Sequence, residues 1–532
     1  MRGAERYGTR TAVVIDDARV TYAELRERVE SVARSLAGLG VRRGDRVGLL
    51  MPNSVTFLEV VFACSILGAV SVPINARFRA VELRHVVPDA QLQLLVVADP
   101  HDEELSFLAR AEEAFPALAQ PRAADGSERL QIAAAPSLRH AVAIRSTRSG
   151  WVSGDAFAAA GASIGDAYLS AARLGVALRH DALIYYTSGT TSLPKGCALS
   201  HEAMVRQGQE TGLRLGYRDG DVMFSPLPMF HTGCTQFLLG MLWYGGTYLS
   251  MARFDAEAGL RMIAEEGVTL LVPAFPAVTQ GLMDSAGYTS DTFASARVLF
   301  HIGTPDQLRS LQERLPHTTV VTGFGMTEQA GSVAIGNPAH PLDRRVWSGP
   351  PLTGSEIAIL NLETARPVAE PGIKGEIGVR GPTLFSGYLN LPERTAESFA
   401  DQGWFRTGDL GLLDKHGDLR FLGRLKDVLK IGGENVGSVE IESYLETHPD
   451  VRLAQVVGVP DDRLGEVAAA FVELTSGGAA TAEDLIAHCD GAIASFKVPR
   501  HVRFVTEWPM SATKVKKGEL RAAIAEELGF DP

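Results

Sequence analysis

The chain has 532 residues, 45% of them hydrophobic and 21% charged, with a formal net charge of -12. It is too long for one hydrophobic core, so two or more domains are expected. The missing basic excess excludes a nucleic-acid backbone as partner, and Cys64, Cys197, Cys234 and Cys489 lie too far apart to indicate a disulfide framework or a zinc site. The N-terminal MRGAERYGTR has no apolar h-region, so no signal peptide is expected and the cytoplasm is the default address.

The first predicted helix opens after Thr21, a candidate N-cap, and ends at Gly38 or Gly40. A strand follows at 46–51. The apolar run 60–72, interrupted by Cys64, Ser65, Gly68 and Ser71, is shorter than the roughly 20 residues of a membrane span and reads as a buried core helix. The stretch 122–154 is poor in periodicity and reads as surface connection. Strands are expected at 181–186, 222–225, 270–272, 298–302 and 320–323, alternating with amphipathic helices. This is the pattern of layered α/β sheets. After Gly372 short strands, turns and glycines dominate. Beyond Arg424–Lys426 a new α+β unit is expected, with helices at 439–447, 482–489 and 518–528 and strands at 453–459 and 467–474. The expected division is a large N-terminal α/β domain, 1–425, and a small mobile C-terminal α+β domain, 426–532.

The strongest local motif begins at the strand end Tyr185-Tyr186 and runs Thr187-Ser188-Gly189-Thr190-Thr191-Ser192, then Leu-Pro-Lys195-Gly196. Backbone N–H groups in such a loop form an anion nest, hydroxyls add donors, and Lys195 adds charge. That suits a polyphosphate, although no Gly-Lys-Ser/Thr follows as in a Walker A loop. A polar surface turn is the plainer reading of TSGTT alone. Gly161-Ala-Ser163-Ile-Gly165 matches the nucleophile elbow in letters, but a helical pattern precedes it where an elbow needs a strand.

The phosphate-loop segment resembles that of the adenylate-forming superfamily, which includes acyl-CoA synthetases, luciferases and peptide-synthetase adenylation domains. Further motifs follow in the same order: Ser225-Pro-Leu-Pro-Met-Phe230-His231, Gly323-Phe324-Gly325-Met326-Thr327-Glu328, Trp404-Phe405-Arg406-Thr407-Gly408-Asp409 and Gly423-Arg424-Leu425-Lys426-Asp427. The resemblance covers essentially the whole chain. It implies an acyl-CoA ligase that joins a small carboxylic acid to coenzyme A through an acyl-adenylate made from ATP. It assigns AMP binding to Gly303, Thr304, Pro305, the run from Gly323 to Thr327, Asp409 and Arg424. Glu328 becomes the ligand of Mg²⁺, a hard cation that takes oxygen donors. Lys426 becomes the hinge, and Lys430, Gly432 and Gly433 the CoA-facing loop. Pocket walls for the acyl group are Phe230, His231, Thr232, Gly233, Gln236, Phe275, His301, Ile302, Gly303 and Gly325. These are mostly apolar or small, which fits an apolar acid better than an amino acid. A homodimer is common among similar enzymes.

Four features depart from the family pattern, one of them Phe324 in place of the usual tyrosine. Ser192 stands where glycine is usual, Gly437-Ser438 replaces Ser-Pro, and the glycine before the adenylation lysine is missing. In Pro509-Met-Ser-Ala-Thr513-Lys514-Val515-Lys516-Lys517, Lys514 then aligns with the catalytic lysine, with Lys516 the runner-up. Catalysis is thus expected from Lys514, His231, Thr327 and Glu328. Ser192 and the Lys514 loop touch the same half-reaction, which motivates a second reading. In it, the chain consumes acyl-AMP supplied by a separate adenylating enzyme. A third reading is a non-catalytic nucleotide-binding homologue.

Overall fold

The computed structural model describes residues 2–99, 106–123, 125–187, 193–289, 291–431, 434–461, 463–510 and 515–530. Two largely parallel sheets form the frame of the N-terminal region. One runs in the order Gly387–Tyr388, Lys195–Ser200, Asp181–Thr187, Val70–Pro73, Arg46–Leu50, Leu94–Ala98, His140–Ile144, Val152–Ser153. The other runs Thr319–Val321, Val298–His301, Leu270–Ala274, Val222–Phe224, Thr247–Ser250, Thr11–Ile15, Ala18–Thr21. One core draws on both, together with Leu36, Val60, Met204 and Phe237 from the helices Tyr22–Gly38, Val55–Leu67, His201–Leu215 and Thr232–Tyr244. Those helices fill the space between the sheets, the arrangement expected of alternating strands and helices.

Local chemistry explains the main boundaries. Thr21 caps its helix as expected: its hydroxyl accepts from the Glu24 N–H, and the Glu24 carboxylate accepts from the Thr21 N–H at 2.8 Å, a reciprocal capping box. The apolar run 60–72 is a helix only in its first part. Gly68 takes a left-handed φ of 69°, closes the helix Val55–Leu67, and releases the chain into the strand Val70–Pro73. Both pieces are buried, so hydropathy alone could not separate them. The stretch 122–154 is also corrected. It supplies the parallel strand His140–Ile144, and its Leu130, Ile132, Leu138 and Trp151 are core residues. Gly161 to Gly165 links the helices Gly154–Ala160 and Asp166–Leu174, so Ser163 is not on a nucleophile elbow.

An antiparallel sheet follows, ordered Pro367–Val368, Glu356–Leu360, Gly375–Arg380, Trp404–Leu413, Phe399–Ala400, with Leu419–Arg424 also beside Trp404–Leu413. The C-terminal region has its own five-stranded sheet. Its path is Glu434–Gly437, Val428–Ile431, Gly465–Leu474, Val451–Asp461, with His501–Phe504 parallel to Gly465–Leu474. The two cores of this region draw only on residues from Leu429 onward. The fold is therefore mixed α/β, with a large N-terminal domain and a smaller α+β C-terminal domain. The helices Ser438–Leu445, Ala482–Cys489 and Lys517–Glu527 fall where sequence periodicity placed them. The short strand His501–Phe504 was not anticipated. Among the described residues no helix is long and apolar enough to cross a membrane.

Candidate active site

The strands Asp181–Thr187 and Lys195–Ser200 are antiparallel, with Thr187 opposite Lys195. They present the two ends of the phosphate-motif segment side by side; Ser188, Gly189, Thr190, Thr191 and Ser192 lie outside the described residues. His85 Nε2 lies 2.8 Å from the Pro194 carbonyl oxygen and holds the returning end. Lys195 Nζ sits 4.6 Å from the ring centroid of Tyr388, a cation–π contact. The Tyr388 hydroxyl in turn donates to Glu328 Oε1 at 2.7 Å. Burial, and then the Glu328 charge, hold the Tyr388 phenol well above its usual pKa, so it remains a donor. Phe385 N donates to the Glu328 carbonyl at 2.7 Å and Ser386 N to the Ala198 carbonyl at 2.8 Å. The 385–388 segment thereby ties Glu328 to the strand carrying Lys195. Tyr388 was not singled out from sequence; a lone aromatic after a turn glycine gives no signal of this role.

Glu328 lies in the one-turn 3-10 helix Thr327–Gln329, at the bend between the paired strands Gly323–Met326 and Gly331–Ile335. Ala330 closes the bend in a left-handed conformation with φ 57°. Gly325 is required by packing, since a Cβ there would fall 2.3 Å from the Gly331 carbonyl oxygen. Phe324 is buried and stacks on Phe421 with ring centroids 5.6 Å apart. That contact joins the bend to the strand Leu419–Arg424. On that strand Arg424 is the register partner of Asp409, and Arg424 Nε lies 2.9 Å from Asp409 Oδ1. Asp409 is buried, and its N–H donates to the Thr407 hydroxyl at 3.1 Å. Thr407 itself donates to the Ile377 carbonyl at 2.8 Å. Asp409 thus sits on an inner strand of the antiparallel sheet with its carboxylate against Arg424.

A further group of candidates lies on the strand Val298–His301 and the turn after it. Thr304 caps the helix Pro305–Arg314, with Gln307 returning its side chain to the Thr304 N–H at 2.8 Å. Gly303 lies against His301 and Gln307. Burial lowers the His301 imidazole to about 4, so it is neutral at pH 7; its Nδ1 is 2.9 Å from the Thr279 hydroxyl. Ile302 is 40% exposed, unusual for an isoleucine beside a buried strand. Ala274 has a left-handed φ of 58°, the kind of local strain that collects at functional sites, and directs the chain into Phe275. Phe230 and His231 pack ring to ring at 4.7 Å. Open space faces the position a Cβ would take at Gly233. Gln236 Oε1 accepts from Ser332 N at 2.8 Å and from Gln207 Nε2 at 2.9 Å, and Gln207 Nε2 also donates to the Ser332 carbonyl at 2.8 Å. Gln207 did not emerge from sequence, where a glutamine inside an amphipathic helix reads as surface.

The C-terminal candidates occupy separate elements. Lys426 is in the one-turn 3-10 helix Leu425–Asp427 between the strands Leu419–Arg424 and Val428–Ile431. Lys430 is exposed on Val428–Ile431, and its N–H donates to Glu466 Oε2 at 2.6 Å. Gly432, Gly433 and Lys514 lie outside the described residues. Lys516 pairs with Glu519 at 2.8 Å, and Lys517 donates to Ser438 Oγ at 2.7 Å and pairs with Glu442. Ser438, at one of the departures from the family pattern, is therefore a buried acceptor for Lys517.

Among the described residues no group of three His, Cys, Asp or Glu side chains is arranged to hold a metal. The lone carboxylate of Glu328 still fits Mg²⁺, which commonly takes one or two protein carboxylates and completes its shell with phosphate oxygens and water.

The AMP-binding enzyme family matches residues 1–389, and the AMP-binding enzyme C-terminal domain matches residues 440–515. The chain is 30% identical to the mitochondrial medium-chain acyl-CoA ligase ACSF2 of Rattus norvegicus, over 99% of this chain and 86% of that protein. It is 32% identical to feruloyl-CoA synthase of an Amycolatopsis species, over 96% of this chain and 95% of that protein. The ATP-bound MatB structure from Rhodopseudomonas palustris superposes with a TM-score of 0.82 at 27% identity, covering 99% of both chains. The chain belongs to the AMP-binding, adenylate-forming enzyme family, as an acid–thiol ligase of the acyl-CoA synthetase type.

Proposed function

We propose that this ligase activates a compact, largely apolar carboxylic acid with ATP and transfers the acyl group to CoA. The observation that carries the nucleotide assignment is the contact chain Lys195–Tyr388–Glu328, which brings a cation and a hard carboxylate together beside the phosphate loop. In the first half-reaction the acid's carboxylate oxygen attacks the α-phosphorus of ATP, the bond to the bridging oxygen breaks, and pyrophosphate leaves. Lys195 and Lys514 stabilise the charge on phosphate oxygens; Thr327 and the backbone after Gly323 hold the AMP portion. Glu328 would hold Mg²⁺, which supplies further charge stabilisation when bound. In the second half-reaction the CoA sulfur attacks the acyl carbonyl carbon, the carbon–oxygen bond to AMP breaks, and the thiol proton passes to solvent. Lys430, Gly432 and Gly433 are the residues assigned to face the pantetheine arm, and Lys426 is the hinge between the two arrangements.

The reading of a compact acid is supported by the buried amide network around Gln236, a candidate wall of the acyl site. Gln207 and Gln236 are 1% and 3% exposed, and their amides are bonded to each other and to Ser332. A long acyl tail would have to displace this network and leave buried polar groups unpaired. Gln207→Ala is expected to open the wall. The ratio of kcat/KM for an acid two to four carbons longer than the preferred one should rise about tenfold, and an unchanged ratio across the acid series would remove this wall from the acyl site. Function itself is tested with a panel of aromatic and short- to medium-chain acids, ATP, Mg²⁺ and CoA, measuring CoA thioester and acid-dependent pyrophosphate exchange. Exchange with any acid supports the two-step ligase. Thioester formation only from supplied acyl-AMP would replace it with the thioesterification-only reading.

A further inference from the structure

Gln307 is bonded in two directions. Its Oε1 accepts from the Thr304 N–H at 2.8 Å, in the turn assigned to AMP, and its Nε2 donates to Glu446 Oε2 at 2.7 Å. Glu446 follows the helix Ser438–Leu445 of the C-terminal domain, and its other oxygen accepts from the Ala454 N–H at 3.1 Å. We propose that Gln307 and Glu446 are positioning residues that couple occupancy of the nucleotide turn to the orientation of the C-terminal domain. The inference rests on the reading of Gly303, Thr304 and Pro305 as part of the AMP site.

Three features favour this pair over another polar contact between these regions. The Lys374–Glu440 ion pair, at 3.2 Å, has its lysine 48% exposed, and such pairs contribute little to orientation. Glu446 is instead withdrawn from water; burial raises its carboxyl to about 7. A carboxylate in that setting depends on its few hydrogen bonds, so losing the Gln307 amide has consequences that an exposed charge would not feel. Finally, the same amide group that meets Glu446 also braces the Thr304 N–H. A nucleotide that shifts the 303–305 turn must move the Gln307 amide, and rotation of the C-terminal domain must release it. Each event therefore changes the free energy of the other, which is the requirement for reciprocal coupling.

The test uses the full chain and the variants E446A, E446Q, Q307A and E446A/Q307A. AMP affinity is measured by calorimetry. Pyrophosphate exchange and acyl transfer from supplied acyl-AMP to CoA are measured separately. E446A and Q307A should each change the ratio of the two half-reaction rates by about tenfold in the same direction, with AMP affinity moving several-fold. The double variant should go no further than either single one, and E446Q, whose amide oxygen still accepts from Gln307, should stay within about threefold of wild type. Q307A lies in the other domain, so a folding defect near Glu446 cannot reproduce its effect. Ratios within twofold of wild type, or shifts that multiply in the double variant, overturn the coupling while leaving the AMP site intact. Failure of the wild-type chain to bind AMP would instead overturn the nucleotide reading and the coupling with it.

Discussion

Replacing Lys514 with alanine is expected to slow acid-dependent pyrophosphate exchange about 10²- to 10³-fold while leaving acyl transfer from supplied acyl-AMP to CoA within about threefold of wild type. The asymmetry follows from where charge develops. In the first half-reaction negative charge builds on oxygens around the α-phosphorus as pyrophosphate departs, and an ammonium group placed there stabilises the transition state more than the ground state. In the second, the charge develops on the acyl carbonyl, and a lysine committed to the phosphate contributes little.

Three neighbouring lysines could claim this role, and the structure gives two of them other work. Lys516 makes an exposed pair with Glu519, and K516A should leave both half-reactions nearly unchanged. Lys517 donates to Ser438 and pairs with Glu442, whose side chain is only 8% exposed and also accepts from Val456 N at 2.7 Å. K517A would strand a buried carboxylate and cost about 3 kcal/mol, seen as a lower Tm of the C-terminal domain and not as a selective loss of adenylation. Selective loss in K516A, with K514A near wild type, would transfer the catalytic role to Lys516. The missing glycine before Lys514 and Ser192 in the phosphate loop both bear on this half-reaction. The wild-type exchange rate therefore has to be measured first, since K514A can lower only an activity the chain possesses.

The sequence was most legible where chemistry is local. The Thr21–Glu24 capping box and the strand Asp181–Thr187 are written in consecutive residues, and both are legible without a partner from elsewhere in the chain. Sequence failed where a role depends on residues far apart. The run 60–72 hides a turn at Gly68 because helix and strand are equally apolar when both are buried. His140–Ile144 looked like a connection because the strand HAVAI is short, has two alanines and is flanked by irregular chain. Tyr388 acquires meaning only when the 385–388 segment lies against Lys195 and Glu328, which are 193 and 60 residues away in sequence by subtraction. Gln307 likewise looks like an ordinary capping-box glutamine until Glu446 is placed beside it.

Asp409→Ala is expected to weaken AMP binding by about 10²-fold and to slow both half-reactions, in contrast to Lys514→Ala, because the AMP portion is present in both. Its carboxylate is buried and paired with Arg424, and its backbone N–H is tied to the Thr407 hydroxyl, so it meets a ribose with little ordering left to do. Hydrogen bonds to a charged acceptor are worth about 1.5–3 kcal/mol each, and the loss of even one or two from the ribose hydroxyls accounts for a change of this size. Asp409→Asn retains an acceptor oxygen without the charge and should lose only about tenfold. The alternative role is structural: Asp409 as the partner of Arg424 across two paired strands of the antiparallel sheet. That role predicts a different pattern, a fall in Tm for D409A with AMP affinity within twofold of wild type, and calorimetry on the two variants separates it from ribose binding.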